Sequence, residues 1–397
     1  MKRVEGNIAS PKGFFANGIH SGLKRKKLDL GWIYSEVPAS VAGVFTTNQI
    51  QAAPLKITKE VVLGEKIKGV IVNSGNANAC TGEQGLANAQ EMQKHVADIW
   101  EVEKELVAVA STGIIGKQLP MPTIEEGIKT LQKSSDIDPS YFHKAILTTD
   151  TVEKVITVET EIEEKTITIS ACGKGSGMIH PNMATMLGFI TTDAAITSSI
   201  LQKCLSELTE ITFNQITVDG DTSTNDMVLV MANGLADNPE IVEEGSNYQQ
   251  FKAAFHFVLT ELAKMIARDG EGATKLIEVD VIQARNALEA RMIAKSIVGS
   301  MLVKSAIFGK DPNWGRILCA VGYSGVPFDS GTIKIQLADT LVFDGEPIAF
   351  DHEKIVKELE DPEIKIIVSL GLGNEMGQAW GCDLTYDYVK INALYHT

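Results

Sequence analysis

The chain has 397 residues, 44% of them hydrophobic and 22% charged, which is typical of a globular protein with two or three domains. Its formal net charge of −15 repels nucleic acid and anionic membranes, so we expect neither as a partner. The five cysteines are scattered and form no Cys-x-x-Cys pair, which predicts neither a disulfide framework nor a zinc site. The N-terminal residues form no apolar signal segment, and no run of eighteen apolar residues occurs, so we expect a cytoplasmic location.

Hydrophobic periodicity predicts alternating helices and strands. In chain order, these are strand 69–72, helix 84–103, strand 106–110, hairpin 155–169, helix 194–212, strand 227–231, helix 248–268, strand 277–282, helix 284–307, strands 317–321 and 333–343, helix 352–360, and strands 364–370 and 383–391. The hairpin is inferred because Glu163-Glu164-Lys165 interrupts an alternating apolar run, so the sheets cannot be purely parallel. The pattern predicts an α/β fold with mixed sheets, and a C-terminal subdomain that begins near residue 285.

A glycine-rich segment at 173–180 leads into the sequence PNMATMLG at 181–188. Glycines allow a tight bend and bring the backbone close to a reacting centre. A threonine hydroxyl is a weak nucleophile, but it is activated when threonine is the first residue of a chain, because its own α-amine then acts as the base. Thr185 would first have to cut the bond that joins it to Ala184. On these residues alone, a threonine in a loop is more typical of an ordinary turn.

Six blocks of sequence carry a wider resemblance. They are NSGNAN (73–78), STGIIG (111–116), TTDT (148–151), KGSGMIHPNMATML (174–187), DGDTSTND (219–226) and YVKINALYHT (388–397). Their order and their spread over nearly the whole chain resemble the ornithine acetyltransferase family, arginine-biosynthesis enzymes also called glutamate N-acetyltransferases.

The resemblance implies a fold and a division of the chain. The fold is a mixed-sheet layered sandwich of the N-terminal-nucleophile, DmpA/ornithine acetyltransferase type, with an α+β subdomain at about 285–397. Self-cleavage between Ala184 and Thr185 would give an N-terminal α fragment, 1–184, and a C-terminal β fragment, 185–397. Two copies of each fragment would form a heterotetramer.

The resemblance also implies an activity. N2-acetylornithine would acetylate Thr185, ornithine would leave, and glutamate would then take the acetyl group in a ping-pong reaction. We expect acetyl-CoA as an additional acetyl donor, which would yield N-acetylglutamate directly. No bound cofactor and no metal are expected.

Particular residues are nominated by the same resemblance. Thr112 and Gly113 would form the oxyanion hole that stabilises the tetrahedral intermediate of acyl transfer. The substrate-binding residues would be Thr151, Lys174, Thr185, Glu271, Asn392 and Thr397. From charge alone, we assign Lys174 to a substrate carboxylate and Glu271 to an ammonium group. Without the resemblance, Ser-Thr-Gly at 111–113 is typical of a strand end, and Lys174 and Glu271 of surface residues.

Two other functions remain open on the sequence. The first is an amidase or aminopeptidase of the same N-terminal-nucleophile superfamily, in which water takes the acyl group. The second is a non-catalytic protein that binds amino acids and keeps the bond between Ala184 and Thr185 intact.

Two further features are interpreted as structural. The segment 219–230 resembles a calcium loop but has Thr224 and Val230 where glycine and glutamate are needed, so its polar groups are expected to hydrogen-bond a turn beside the active site. His180 is expected to shape the loop before residue 181 rather than to act as a base.

Overall fold

The computed structural model describes residues 1–133, 137–180 and 186–394. The strands are β1 (Lys2–Val4), β2 (Phe14–Ile19), β3 (Leu30–Phe45), β4 (Lys66–Asn76), β5 (Val107–Ile114), β6 (Lys154–Ile162), β7 (Lys165–Lys174), β8 (Leu187–Thr192), β9 (Ile216–Thr217), β10 (Met227–Ala232), β11 (Leu276–Ala284), β12 (Lys334–Leu337), β13 (Thr340–Asp344), β14 (Glu346–Pro347), β15 (Glu363–Ser369) and β16 (Glu375–Cys382). The helices are α1 (Ala53–Leu63), α2 (Gly82–Trp100), α3 (Met121–Lys133), α4 (Pro139–Ile146), α5 (Ser198–Ile211), α6 (Ser246–Arg268), α7 (Ala287–Gly299), α8 (Met301–Phe308), α9 (Trp314–Gly322), α10 (His352–Glu358) and α11 (Tyr386–Leu394).

Two mixed sheets organise these elements. The first has the order β1-β6-β7-β8-β10-β3-β4-β5, with β2 also paired to β3. Its β8/β10 and β4/β5 pairs are parallel and its remaining pairs are antiparallel. The second sheet has the order β14-β13-β12-β15-β11-β16-β9, with parallel β11/β15 and β16/β9 pairs. The predicted α/β class with mixed sheets is confirmed.

Helices fill the space between the sheets and cover their outer faces. Helix α6 packs apolar side chains such as Phe251, Phe255 and Leu262 against β6 and β7, and it also contacts β16 of the second sheet. On the other face of the first sheet, Phe142 of α4 meets Phe189 of β8 edge to face, with ring centroids 5.4 Å apart. Helices α7 to α10 cover the second sheet. The molecule is therefore layered, as predicted.

The predicted hairpin at 155–169 is confirmed as β6 and β7. Their turn residues Glu163 and Glu164 both have positive φ, +47° and +64°, which is the geometry of the type I′ turn that joins twisted strands.

Four other predictions of local structure are wrong. The single strand expected at 333–343 is the antiparallel pair of β12 and β13. Residues 317–321 form part of α9, which begins because the Asn313 side chain accepts a hydrogen bond from the Arg316 N–H. Residues 386–394 form α11 rather than a strand. The single helix expected at 284–307 is two helices, because the backbone is extended at Ser300, whose hydroxyl caps α8 by accepting from the Val303 N–H.

Among the described residues, no helix combines the length and the hydrophobicity needed to span a membrane. The fragment boundary at 184/185 and the subdomain boundary near 285 stay predictions.

Candidate active site

A cavity of about 300 Å³ is lined by residues from most of the six sequence blocks that carry the family resemblance, which we call the family-like blocks. Its described lining consists of Thr112, Gly113, Thr148, Thr149, Lys174, Gly177, Met178, Leu187, Ser223, Asn225, Asp226, Glu271 and Asn392. Five of the six blocks contribute to this lining, and the sixth, 73–78, pairs along β5 beside Thr112 and Gly113. Segments that are far apart in sequence therefore meet at one small polar site.

The structure brings together five of the nominated residues: Thr112, Gly113, Lys174, Glu271 and Asn392. Thr185, Ala184 and Thr397 lie outside the described residues. The described residues on either side of the proposed cut, Met178 and Leu187, both line the cavity.

Thr151 is placed differently from the other nominated residues. It is exposed and is not among the described residues that line the cavity. Its hydroxyl donates to the Asp269 carboxylate, and its N–H donates to the same group at 3.0 Å. Thr148 and Thr149 of the same turn line the cavity instead.

Thr112 and Gly113 form one wall at the end of β5. The Thr112 hydroxyl lies 3.3 Å from the Lys174 ammonium. An ammonium group only donates, so the hydroxyl oxygen accepts in this contact. Its own hydrogen is left to donate, and no described residue accepts it. Gly113 has φ +133°, and a Cβ there would overlap the Gly75 backbone, so no other residue type fits.

Glu271 lines the cavity from the loop after α6. Its carboxylate accepts from the Asn392 side-chain amide at 2.7 Å, and its N–H donates to the Ser176 carbonyl at 3.0 Å. The side chain of Glu271 packs directly on Gly177, where any Cβ would collide with the carboxylate. A side chain at 177 would therefore displace the Glu271 carboxylate from this position.

A buried ionic group supports the floor of the site. The Lys154 ammonium contacts Asp150 at 2.7 Å and Asp269 at 2.5 Å, and all three side chains are nearly inaccessible to solvent. Asp150 also accepts from the Gly175 N–H at 2.7 Å. Burial raises the pKa of Asp150, but the charges of Lys154 and Lys174 outweigh it and hold that pKa well below its usual value.

Asp226 introduces a second carboxyl group into the cavity wall. It is 4% exposed, and burial raises its pKa well above the ordinary value, against the opposing effects of Ser223 hydrogen bonds and the Lys174 charge. Its Oδ2 atom has no hydrogen-bond partner among the residues that the structure describes.

The 219–226 segment does support a neighbouring turn, as predicted. The Asp219 carboxylate accepts from the N–H groups of Met178 and Ile179 at 2.6 and 2.9 Å. His180 Nδ1 lies 2.9 Å from the Thr217 hydroxyl. Burial and the Lys295 charge lower the His180 pKa to about 4, so this imidazole is neutral at pH 7.

Several lining residues were not nominated from the sequence, among them Gly177, Thr148, Ser223, Asn225 and Asp226. All of them lie inside family-like blocks, which was the available signal. Asn225 joins the blocks, since its side-chain amide donates to the Ala77 and Ser111 carbonyls at 2.6 and 2.8 Å.

The fold and the cavity define the class of protein: an α/β protein whose small polar site holds opposite charges, as in enzymes that act on small polar molecules. Residues 15–397 match the model of the ArgJ family. The arginine biosynthesis bifunctional protein ArgJ of Streptococcus mutans is 56% identical over 399 residues, covering 100% of both chains. The chain therefore belongs to the ArgJ family of arginine-biosynthesis enzymes.

Two solved structures are also similar. The crystal structure of the arginine biosynthesis bifunctional protein ArgJ from Bacillus halodurans is 54% identical, with a TM-score of 0.51, and the match covers 52% of this chain and 97% of that chain. The ornithine acetyltransferase from Mycobacterium tuberculosis, complexed with ornithine, is 34% identical, with a TM-score of 0.43, and the match covers 46% of this chain and 99% of that chain.

Proposed function

We propose that the chain is a self-cleaving acetyltransferase that moves an acetyl group from N2-acetylornithine to glutamate through an acetyl-Thr185 ester. The observation that carries the proposal is the position of Met178 and Leu187, on either side of the proposed cut, in the lining of the same cavity as Thr112 and Gly113. Acetyl-CoA is proposed as an additional donor. The enzyme would work in the cytoplasm as a heterotetramer of two α and two β fragments.

Cleavage would begin with attack of the Thr185 hydroxyl on the Ala184 carbonyl carbon. The acyl group moves from nitrogen to oxygen, and water then opens the ester, which frees the Thr185 amine. An α-amine has an ordinary pKa of about 7.7 to 8.0, so an appreciable fraction is already the neutral base near pH 7.

Acetyl transfer would follow in two steps. The free amine takes the hydroxyl proton of Thr185 as its oxygen attacks the acetyl carbonyl, and ornithine leaves with a proton on its α-nitrogen. The amine of glutamate then attacks the ester and releases Thr185 as N-acetylglutamate forms. Each tetrahedral intermediate carries an oxyanion, for which the free O–H of Thr112 is a suitable donor.

The charges of the cavity suit these substrates. Acetylornithine and glutamate both have carboxylates, which we assign to Lys174, and ornithine compounds carry a side-chain ammonium, which we assign to Glu271. Both charged groups lie in the lining of the cavity, and Asn392 orients the Glu271 carboxylate at 2.7 Å.

The match to the Bacillus halodurans structure supports cleavage. It covers nearly all of that crystallised chain but only 52% of this one, which is the size expected of one cleavage fragment.

The proposal is tested with Thr185→Ala and Thr185→Ser. We expect Thr185→Ala to remain a single uncut chain without acetyl transfer, and Thr185→Ser to be cut and partly active, because serine keeps a hydroxyl. Thr166→Ala, at an exposed position in β7, is the matched control and should behave as wild type. Wild-type turnover by Thr185→Ala would contradict the proposal.

Product analysis separates the rival functions. N-acetylglutamate that forms only when glutamate is present indicates the acetyltransferase. Free acetate that forms equally with and without glutamate would indicate the amidase, in which water is the acceptor. Binding of acetylornithine with no product at all would indicate the non-catalytic protein.

A further inference from the structure

A cluster of positive charge borders the cavity, in a chain whose formal net charge is −15. Residues 24–27 read Lys-Arg-Lys-Lys, the longest run of consecutive basic residues in the sequence, and we call them the basic loop. Arg25, Lys26 and Lys27 are exposed, and none of their side chains forms an ion pair or a hydrogen bond with a described residue. These three charges are therefore available to an anion from solvent, and the reaction described above does not use them.

The buried carboxylate of Asp29 fixes the shape of the basic loop. It is inaccessible to solvent and accepts from the N–H groups of Ser21, Gly22 and Lys24 at 2.6, 3.2 and 2.9 Å. The Ser74 N–H donates to the Asp29 carbonyl at 2.8 Å, which joins the loop to β4. The exposed cations are thus attached to a backbone that is already ordered, which lowers the entropic cost of binding a ligand.

Lys24 attaches the basic loop to the cavity on two sides. Its ammonium donates to the Leu147 carbonyl, and the next residue, Thr148, lines the cavity. Its aliphatic stem lies against Gly75, where a Cβ would be 3.2 Å from Lys24 Cγ. Gly75 in turn pairs with Gly113, another lining residue, across β4 and β5. The basic loop is therefore a neighbour of the cavity lining, packed against the segments that form it.

The size of the cavity indicates which anion such a loop would bind. A volume of about 300 Å³ is suited to an acetylated amino acid, whose carboxylate we assign to Lys174 inside the cavity. Coenzyme A is several times larger than such a compound and carries a diphosphate and a further phosphate group. Only the acyl end of acetyl-CoA fits in the cavity, so its phosphates need a surface outside. Arg and Lys bind phosphate through strong, charge-assisted hydrogen bonds.

We propose that the basic loop binds the phosphate groups of coenzyme A while the acetyl thioester lies in the cavity. The inference deepens the proposed function and rests on it, since acetyl-CoA is the additional donor there. The Thr185 oxygen would form a bond to the acetyl carbon, the carbon–sulfur bond would break, and coenzyme A would leave as the thiol with the proton of the Thr185 hydroxyl. The loop contributes affinity for this donor and none for N-acetylornithine, which has no phosphate.

The first test replaces Arg25, Lys26 and Lys27 together with glutamine in the full-length protein. This loop variant loses three positive charges and keeps polar side chains at exposed positions. Isothermal titration compares coenzyme A with pantetheine, which has no phosphate. We expect the loop variant to bind coenzyme A about tenfold more weakly than the wild type, because exposed charge pairs are individually weak and three are lost. Its affinity for pantetheine should equal that of the wild type.

A matched control removes the same amount of charge elsewhere. It combines Lys334→Gln, Lys354→Gln and Lys357→Gln, three exposed positions on β12 and α10 that are outside the described lining of the cavity. Salt screens distant surface charges, so the control should bind coenzyme A within about twofold of the wild type. Equal weakening in the control and in the loop variant would mean that the overall field of the protein attracts coenzyme A, and would overturn the inference.

Steady-state kinetics with the two donors gives a second readout. With acetyl-CoA and glutamate, the loop variant should show a KM about tenfold above that of the wild type at an unchanged kcat, the result expected when binding energy is lost equally from the ground state and the transition state. With N-acetylornithine and glutamate, its kcat/KM should stay within about twofold of the wild type, because no phosphate is bound. A loop variant impaired equally with both donors would contradict the inference.

Failure of the inference differs from failure of the proposed function. Wild-type protein that transfers acetyl from neither donor would defeat the proposed function, and the calorimetric comparison would then decide the inference alone. The inference is overturned if the loop variant binds coenzyme A as tightly as the wild type does, or if the wild type binds coenzyme A no more tightly than pantetheine. Neither of these results would affect acetyl transfer from N-acetylornithine.

Discussion

At the scale of single residues, the site depends on glycines, which have no side chain, as well as on its polar and charged side chains. Gly177 leaves room for the Glu271 carboxylate, and Gly113 lets β5 approach Gly75. Gly177 does not have a positive φ, so what glycine contributes there is the missing Cβ. A methyl group at 177 would displace Glu271 without straining the chain.

Gly177→Ala therefore tests the role of Glu271. We expect the substitution to reduce affinity for a ligand with an ammonium group by about 10- to 100-fold, since hydrogen bonds to charged groups contribute about 1.5 to 3 kcal/mol. Isothermal titration with ornithine measures the change. Gly322→Ala is the matched control, because a Cβ there meets nothing within 4 Å. Equal affinities of the two variants would show that Glu271 does not hold the ammonium.

The residues of the site could be predicted from the sequence only in part. Thr112, Gly113, Lys174 and Asn392 lie in family-like blocks and Glu271 lies outside them, and the structure places all five at the cavity. Asp226 was not named, because nothing in a linear sequence shows that a carboxyl group loses its solvent and its partners on folding. The contact of Thr151 with Asp269, 118 positions away, was invisible for the same reason.

At the scale of elements, the buried group of Asp150, Lys154 and Asp269 joins the parts that carry the site. It connects the start of β6, the 148–151 turn, the loop after β7 and the end of α6. Asp269 also accepts from Thr151, and its carbonyl accepts from the Ser176 hydroxyl at 2.7 Å. Lys174 precedes Gly175, whose N–H donates to Asp150, and Glu271 lies two residues after Asp269, so the separation of Lys174 and Glu271 depends on this group.

Lys154→Met should destabilise the protein strongly. The substitution leaves two buried carboxylates without their cation, and breaking a buried pair in this way costs about 3 to 5 kcal/mol. Urea unfolding measures the loss. Lys334→Met, which removes an exposed partner of Asp344, is the control and should change stability by less than about 1 kcal/mol. A Lys154→Met variant as stable as the control would mean that the ionic group contributes little.

Elements with long, clear periodicity were predictable, and short apolar runs were not. The 248–268 pattern is α6 almost residue for residue, because ten buried side chains repeat at helical spacing. The apolar run at 317–321 is too short for its pattern to distinguish a strand from a helical turn. The N-cap hydrogen bond of Asn313 favours the helix. Helix α11 buries no residue, so it lacks the amphipathic pattern from which helices are inferred.

At the scale of the whole molecule, a cut at 184/185 would not release the two fragments. Strand β8 pairs with β7 across the cut, and β10 pairs with β3, so both fragments share one sheet. They also share the core around α6, in which Ile156 and Ile169 pack with Phe255 and Leu262. The layered architecture thus allows cleavage to create a new amine while the site keeps its shape.

The intact mass of the denatured full-length protein, after incubation with N-acetylornithine and without glutamate, is the most direct test of self-cleavage and of the acetyl-Thr185 intermediate. We expect two masses that divide the chain between Ala184 and Thr185, with one acetyl group on the fragment that begins at Thr185. A single, unmodified full-length mass would contradict both the self-cleavage and the acetyl-Thr185 intermediate.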